Sequence, residues 1–371
     1  MKATDEQILA TLHQTDGSRT KAAKALGFTE RAFLSRVAKM KERGLPIPDS
    51  SYNHHPRVTG TSTLYDANGV ERLQWVKTAA GIPSAQDIAA AIREALTDIP
   101  KPSRIAAPKI TNADLLTVYP IGDQHVGMYA WAEETGADYD LKIAERLLLS
   151  AVRHLVAKAE PSAEAVIVDV GDFTHYDTIR TETVRSHNTL DADSRYHAMI
   201  RVALRMLVAC IDEALTKHKR VTLICAPGNH NDMGAAWMIE SMALYYAREP
   251  RVTVIAKAGK FFFYEFGKVL LGVTHGDTGK PAKIAGVMAA DEPAAWGRTQ
   301  FRHWITGHVH SERVIEMQGV KWETFRTLAP GDAWSHAAAY RAAREMHSIT
   351  YHRRLGEVRR DKFNAAMLEA A

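Results

Sequence analysis

The sequence predicts an α/β protein in which a small all-α domain and a hairpin-containing linker region precede a larger domain of strands and helices. Three observations carry this. Val166 to Val170 is a short β-branched run closed by Gly171-Asp172, the pattern of a buried strand with an acidic residue at its C-terminal end, where open α/β sheets place binding groups. Four other strand-like runs end in the same way, on Asp123-Gln124-His125, Gly228-Asn229-His230, His275 and Gly307-His308-Val309-His310. The first 43 residues, by contrast, show helical spacing broken at Gly27. A length of 371 residues suits two or three domains, and 46% hydrophobic with 24% charged residues is ordinary globular composition. No apolar run approaches the ~18 residues of a membrane span, so no membrane partner is expected. Met1–Thr11 is interrupted by Lys2, Asp5 and Glu6 and lacks a secretory core, and Cys210 and Cys225 alone form neither a disulfide framework nor a Cys-rich metal pattern. The expected compartment is a reducing cytoplasm.

Residues 1–46 read as three helices. Thr4–Gln14 has Ile8, Leu9 and Leu12 on one face, with Thr4 or Asp5 as its cap; Ser18–Leu26 ends at Gly27; Thr29 caps a third helix with Phe33, Val37 and Met40 inward, stopped by Gly44 and Pro46. Two short helices around a glycine turn make a helix-turn-helix pattern. Lys21-Ala22-Ala23-Lys24-Ala25-Leu26-Gly27 resembles the alanine-rich second helix of factor-for-inversion-type DNA-binding domains. The third helix would then offer Glu30, Arg31, Ser35, Arg36 and Lys39 to a groove. Arg19 to Arg43 carries eight Lys/Arg against two Glu, which suits phosphate contact by Arg19, Lys21, Lys24, Arg31, Arg36 and Lys39. A plain three-helix bundle with a solvated basic face, or a protein-docking module, is the alternative. Residues 47–111 read as a linker region. It holds a hairpin over Ser62–Thr78 around Asn68-Gly69, where Tyr65 and Trp75 are available to pack, and an amphipathic helix over Ser84–Ile99. Pro100–Thr111, with Lys101, Arg104 and Lys109, is a second linker.

Residues 112–371 form the third region. Strands are expected at Leu115–Ile121, Val166–Val170, Val221–Ala226, Leu270–Thr274 and Phe301–Thr306, and helices at Tyr139–Lys158 and about Ser194–Lys217, the latter with Ile200, Leu204, Leu207 and Ile211 on one face. Asp191 and Asp193 stand where a helix cap would. Thr178–Asn188, with Arg180, Arg185 and His187, is too polar for a core. The tail from Val314 to Phe363 reads as further strands, including a hairpin of His347–His352 and Glu357–Phe363 about Leu355-Gly356. Its Arg353, Arg354, Arg359 and Arg360 protect an edge or form a phosphate-contacting rim.

The ordered blocks Asp-x-His, Gly-Asp, Gly-Asn-His, a lone His and Gly-His-x-His, spread over Leu116 to His310, resemble the calcineurin-like metallophosphoesterases. The resemblance implies a β-sandwich flanked by helices and two divalent ions, Mn²⁺ as first choice with Fe or Zn²⁺ as alternatives. One ion would be held by Asp123, His125, Asp172 and His310, the other by Asp172, Asn229, His275 and His308. Asp172 bridges, a metal-bridging hydroxide attacks phosphorus, and His230 is the acid for the leaving oxygen. Two positions depart from the family pattern. His175, followed by Asp177, replaces a usual aspartate, and Asn231 stands where an acid commonly follows the histidine, leaving Asp232 to orient His230. His175, Arg180, Arg185 and Asp232 are candidate substrate contacts or supports for the ligands, although His175 reads equally as a surface histidine. Phage-encoded members are similar in the Thr178–Arg195 segment and in an N-terminal helix-turn-helix, which places the chain in a bacterial or phage-infected cell. The expected activity is hydrolysis of a DNA phosphodiester, with a core similar to the nuclease subunits of double-strand-break repair complexes. A protein or nucleotide phosphatase is the second reading. A DNA-binding regulatory or packaging protein with a vestigial site is the third. DNA is the expected partner; a second copy or a phage or repair protein is left open.

Overall fold

The computed structural model describes residues 3–15, 19–43, 57–65, 71–79, 105–178, 181–183 and 189–369. The expected Ser84–Ile99 helix, the Asn68-Gly69 turn, the stop signals Gly44 and Pro46, and Lys101, Arg104, Arg180, Arg185 and His187 lie outside the described residues. The chain divides into two compact units, Met1–Ile82 and Pro83–Ala371.

In the first unit, α1 (Asp5–Gln14), α2 (Arg19–Ala25) and α3 (Glu30–Glu42) close on Ile8, Leu12, Ala22, Ala23, Phe33, Val37 and Met40, all buried. The apolar spacing of the sequence is thus the packing face. Thr4 caps α1 by a reciprocal exchange: its hydroxyl accepts from the Gln7 N–H at 3.3 Å and its own N–H donates to Gln7 Oε1 at 2.9 Å. Gly27, at φ +71°, ends α2, and Thr29 Oγ1 accepts from Ala32 N–H at the start of α3. Asp5, the other candidate cap, is engaged elsewhere, accepting from Arg36 at 2.8 Å and Arg43 at 2.6 Å. Those guanidinium groups hold its carboxyl below the usual range. Arg36 is therefore committed within the bundle, whereas Lys24 and Lys39 are exposed. Side chains of Arg19, Lys21 and Arg31 lie outside the described part, as do those of β1 (Arg57–Tyr65) and β2 (Glu71–Ala79), an antiparallel pair that includes Tyr65 and Trp75.

The second unit runs, in chain order, β3 (Asn112–Ile121), α4 (Ala132–Thr135), α5 (Leu141–Lys158), β4 (Ser162–Asp169), α6 (Tyr196–Lys217), β5 (Arg220–Cys225), α7 (Asp232–Tyr245), β6 (Val252–Val254), β7 (Phe262–Phe266), β8 (Val269–Val273), α8 (Pro281–Asp291), α9 (Pro293–Arg298), β9 (Phe301–Thr306), β10 (Arg313–Met317), β11 (Val320–Thr324), α10 (Ala333–Ala337), β12 (Glu345–His352), β13 (Gly356–Asn364) and α11 (Ala366–Glu369). Two mixed sheets result, in the orders β13-β12-β3-β4-β5-β6 and β10-β11-β9-β8-β7. The strands that end in the candidate motifs run parallel within each sheet: β3, β4 and β5 in the first, β8 and β9 in the second.

Alternate residues of β4 explain its unbroken apolar run. Val166 and Val168 enter the layer between the sheets with Leu116, Ile224, Leu271, Val273 and Ile305. Ala165 and Ile167 face the other way, onto Leu148, Val152, Leu204, Leu207 and Ile211 of α5 and α6. A strand buried on both faces loses the polar alternation of a half-exposed one. Trp304, Leu270 and Trp322 on the outer face of the second sheet are covered by Ile284 and Met288 of α8. The arrangement is helices, sheet, sheet, helices, a sandwich flanked by helices. The expected run of strands after Val314 is interrupted: residues 325–344 are irregular apart from α10. Asp193 serves the N-terminus of α5, accepting from Leu141 N–H at 2.9 Å beside the cap Asp140, which accepts from Ile143 N–H at 2.7 Å; α6, preceded by Arg195, has no side-chain cap. The hairpin arginines pair with carboxylates, Arg359 with Glu160 and Asp361, Arg360 with Glu323 and Glu357. Their turn packs at Phe301, the end of β9 away from His308, so the edge-protection reading holds and the phosphate-rim reading does not. Among the described residues no helix is long and apolar enough to cross a membrane, and Cys210 and Cys225 are buried free thiols.

Candidate metal centre

Five strands deliver the site. Asp123 and His125 follow β3, Asp172 follows β4, Asn229 and His230 follow β5, His275 follows β8, and His308 and His310 follow β9. Because all five are parallel within their sheets, their C-terminal ends meet at one end of the sandwich and the loops converge there. Two glycines in the motifs are required by this closeness. A Cβ on Gly228 would lie 2.0 Å from Asp172 Oδ1, and one on Gly307 2.4 Å from Asp123 Oδ2.

Six described non-glycine residues adopt positive φ, and four are site residues: His125 at +46°, Asp172 at +53°, His308 at +71° and His310 at +52°. The left-handed region costs an L-residue of order 1 kcal/mol, and such strain persists where surrounding structure enforces it. Enforcement is visible here. Asp123 accepts from the His308 N–H at 3.0 and 3.1 Å, while His125 N–H and Val126 N–H donate to the Asp172 and Phe173 carbonyls. Buried Gln124 exchanges hydrogen bonds with Tyr139, its side-chain amide donating to the phenol at 2.9 Å and its backbone carbonyl accepting from the phenol at 2.6 Å.

The ligand-type atoms face one another in two groups. Nε2 of His125 and Nε2 of His310 lie 3.2 Å apart, with Asp123 Oδ1 3.7 Å from the latter. Nε2 of His275 lies 3.0 Å from Asn229 Oδ1 and 3.1 Å from Asp172 Oδ2. Metal–ligand bonds of about 2.1 Å place neighbouring ligands ~3.0–3.4 Å apart in octahedral or tetrahedral shells, so the closest of these spacings fit edges of coordination polyhedra. The mixed nitrogen and oxygen set suits Mn²⁺, Fe or Zn²⁺ rather than Ca²⁺. His275 Nδ1–H donates to the Val170 carbonyl at 3.0 Å, which leaves Nε2 as the lone-pair nitrogen. The ring of His308 lies 5.0 Å from that of His275, but among the described residues its ring atoms join no cluster of three ligand groups. His230 joins one instead, with His125 and His175.

Burial and mutual repulsion hold His125 well below the usual histidine value, and the same causes bring His175 down to about 3, so both are neutral with lone pairs available. Burial also lowers His308. At Asp172 burial opposes ionisation, but the His275 imidazole more than offsets it and holds the carboxyl far below its usual range. At His275 burial opposes the charge and the Asp172 carboxylate wins, raising it to about 10. That proton occupies the place a cation would take from it.

His175 is 1% exposed, not on the surface; its Nδ1 lies 3.2 Å from His125 Nδ1 and its Nε2 has no partner. His230 Nδ1 is held by the His175 carbonyl at 2.8 Å, while Asp232 pairs with Lys260 at 3.3 Å, so the orienting role expected of Asp232 is filled by a backbone oxygen. Two further residues shape the site. Asn231 Oδ1 accepts from Asp172 N–H at 3.1 Å and Gly228 N–H at 2.9 Å, tying two ligand loops. Asp177 accepts from Met233 and Gly234 N–H, both at 2.7 Å, and so caps α7, the helix that follows His230. Asn231 was visible in sequence only as a departure from a pattern, and its backbone partners carry no sequence signal.

No family model matches the chain, and no curated protein matches it. Among solved structures it is similar to a predicted phosphoesterase from Streptococcus pneumoniae (11% identity, 68% of this chain and 99% of that one, TM-score 0.28). It is also similar to Vps29 complexed with zinc from Entamoeba histolytica (12%, 67% and 99%, TM-score 0.27) and to an archaeal phosphodiesterase (10%, 67% and 99%, TM-score 0.34). Likenesses this low leave the functional reading to the site itself.

Proposed function

We propose that the second unit is a binuclear metal-dependent phosphodiesterase acting on nucleic acid, and that the first unit binds DNA through exposed Lys24 and Lys39 and the neighbouring Arg19, Lys21 and Arg31. The carrying observation is the pair of facing ligand groups, His125/His310/Asp123 and His275/Asn229/Asp172, at the common end of five strands. His308 is proposed to complete the second group. Two bound divalent cations would supply an acidified water and Lewis-acid stabilisation of phosphoryl oxygens. The chain's own contribution is positional. Asp172 is proposed to bridge the two cations; its Oδ1 is fixed by the His230 N–H at 2.8 Å and its Oδ2 lies 3.1 Å from His275 Nε2. The His175 carbonyl holds His230 Nδ1–H, which leaves Nε2 as the nitrogen free for the leaving oxygen; it would give a proton there from the doubly protonated ring. A phosphatase would use the same groups, and only substrates separate the readings.

The test is metal analysis after Mn²⁺ loading, with rates on single-stranded DNA, duplex DNA, RNA, a phosphomonoester and bis-nitrophenyl phosphate. Two ions per chain and diester hydrolysis are expected; Asp172→Asn loses metal. His230→Asn keeps its metal and loses ~10²–10⁴-fold on DNA, where the alkoxide leaves poorly, but much less on the nitrophenyl ester. At most one ion per chain, unchanged in Asp172→Asn, would overturn the binuclear reading. Preference for the monoester would favour the phosphatase.

A further inference from the structure

Residues 325–344 carry a feature that the metal chemistry does not use. The segment leaves the site at Thr327, whose hydroxyl donates to the Asp123 carbonyl at 2.7 Å, and reaches Asp332, which caps α10 by accepting from Ser335 N–H at 2.9 Å. On α10 and just after it stand Trp334 and Tyr340, 66% and 62% exposed, with ring centroids 5.9 Å apart and planes 32° from parallel. α10 packs against α4, the short helix that begins beside Trp131, itself 49% exposed and six residues beyond His125. Isolated exposed aromatics need no explanation. A tilted pair of large rings, anchored through one short loop to a metal-ligand residue and neighboured by a third, is a different matter.

The rings are too close together to admit a flat group between them, so they present one shallow platform. The charges beside the pair are mixed, Glu133 and Glu134 on α4 and Asp332 at the start of α10 against Arg341. Arg341 Nη1 donates to the His336 and Tyr340 carbonyls at 3.1 and 2.8 Å, which sets its guanidinium beside the platform; exposed Lys280 and Lys283, at the cap and in the first turn of α8, follow the ligand-type His275 in the chain. Aromatic faces interleaved with cations are the recognition chemistry of an unpaired strand, whose bases stack while its phosphates are tracked by charge. A duplex hides its base faces and offers this platform nothing.

We propose that the substrate is a single-stranded nucleic acid, with a base next to the scissile phosphate stacked on Trp334 and Tyr340. This rests on the reading of the site as one that cuts phosphodiesters. The test measures binding of tetrathymidylate, and of an abasic strand of equal length, to the metal-free full chain. The wild type is expected to bind the base-bearing strand about ten-fold tighter than the abasic one. In Trp334→Leu/Tyr340→Leu, which keeps apolar bulk and removes the ring faces, that ratio falls toward one while the circular dichroism spectrum is unchanged. The single variants give intermediate ratios and guard against a folding defect in the double one. A wild-type ratio of one, a ratio preserved in every variant, or tighter binding of a phosphotyrosyl peptide than of the strand would overturn the proposal. Hydrolysis of bis-nitrophenyl phosphate by the Mn²⁺-loaded wild type is measured separately. Its absence together with a ring-dependent ratio would sink the catalytic reading and leave the platform standing.

Discussion

Asn231 is completely buried, and its single carbonyl oxygen holds the backbone N–H groups of Asp172 and Gly228. The first of these belongs to a residue at positive φ and the second to a glycine pressed against that residue's carboxylate. Asn231→Ala leaves both N–H groups buried without an acceptor, at about 2–4 kcal/mol in stability. Because the tie runs between a carboxylate loop and an amide loop, Mn²⁺ affinity should also fall 10–100-fold, read by equilibrium dialysis at a temperature where the variant remains folded. Retained affinity in a destabilised variant would confine Asn231 to the fold. The ligand-type residues were readable in sequence because each chemistry-bearing type stands at the end of an apolar run. Supports such as Asn231 and the His175 carbonyl were not, because their partners are backbone atoms that any residue supplies.

At the scale of elements, α7 depends on Asp177 from another loop for its N-terminal cap. Burial pushes the Asp177 carboxyl up to about 6 from an ordinary 3.8, although the two N–H groups favour its charge. A folded value above the unfolded one means the native state binds the proton more tightly, so this group's contribution is greatest below about pH 3.8 and is lost as pH rises through about 6. Urea midpoints of wild type relative to Asp177→Asn, followed over pH 4 to 7, should therefore decline as pH rises; a flat difference would show that Asp177 does not titrate there. The helices expected at Tyr139–Lys158 and Ser194–Lys217 form within two residues of those bounds, as Leu141–Lys158 and Tyr196–Lys217, because both are long and amphipathic. Helix α7 escaped notice for the opposite reason. Its sequence DMGAAWMIESMALY is apolar nearly all round, burying Met238 and Met242 yet leaving Leu244 72% exposed, so no stripe marks it.

Across the second unit, buried side chains clamp the two sheets to one another. Glu323 of β11, fully buried, is gripped by Arg360 of β13 and by Lys321 at 2.8 Å, and the His303 ring of β9 meets the Tyr351 hydroxyl of β12 at 2.5 Å. The hydrogen bonds and charge of His303 and Arg360 outweigh burial and hold Glu323 far below the usual glutamate range, so the clamp contributes above the ordinary carboxylate pKa and weakens only in strong acid. Arg360→Leu strands a buried charge with fewer partners and should cost about 3 kcal/mol in urea unfolding. A cost below ~1 kcal/mol would mean Lys321 and His303 suffice. None of this pairing across sheets was legible in the sequence, where strand order and facing leave no local mark; the sandwich itself came only by resemblance. The left-handed histidines and aspartate set metal binding against the stability of the empty chain. At His310, half exposed and at φ +52°, replacement by glycine discards little packing and relieves about 1 kcal/mol of strain, so metal-free His310→Gly should melt higher than its parent, and excess Mn²⁺ should reverse that order. At such a position the metal-free chain gains by losing the ligand side chain, so the strain is a cost that only a bound cation would offset.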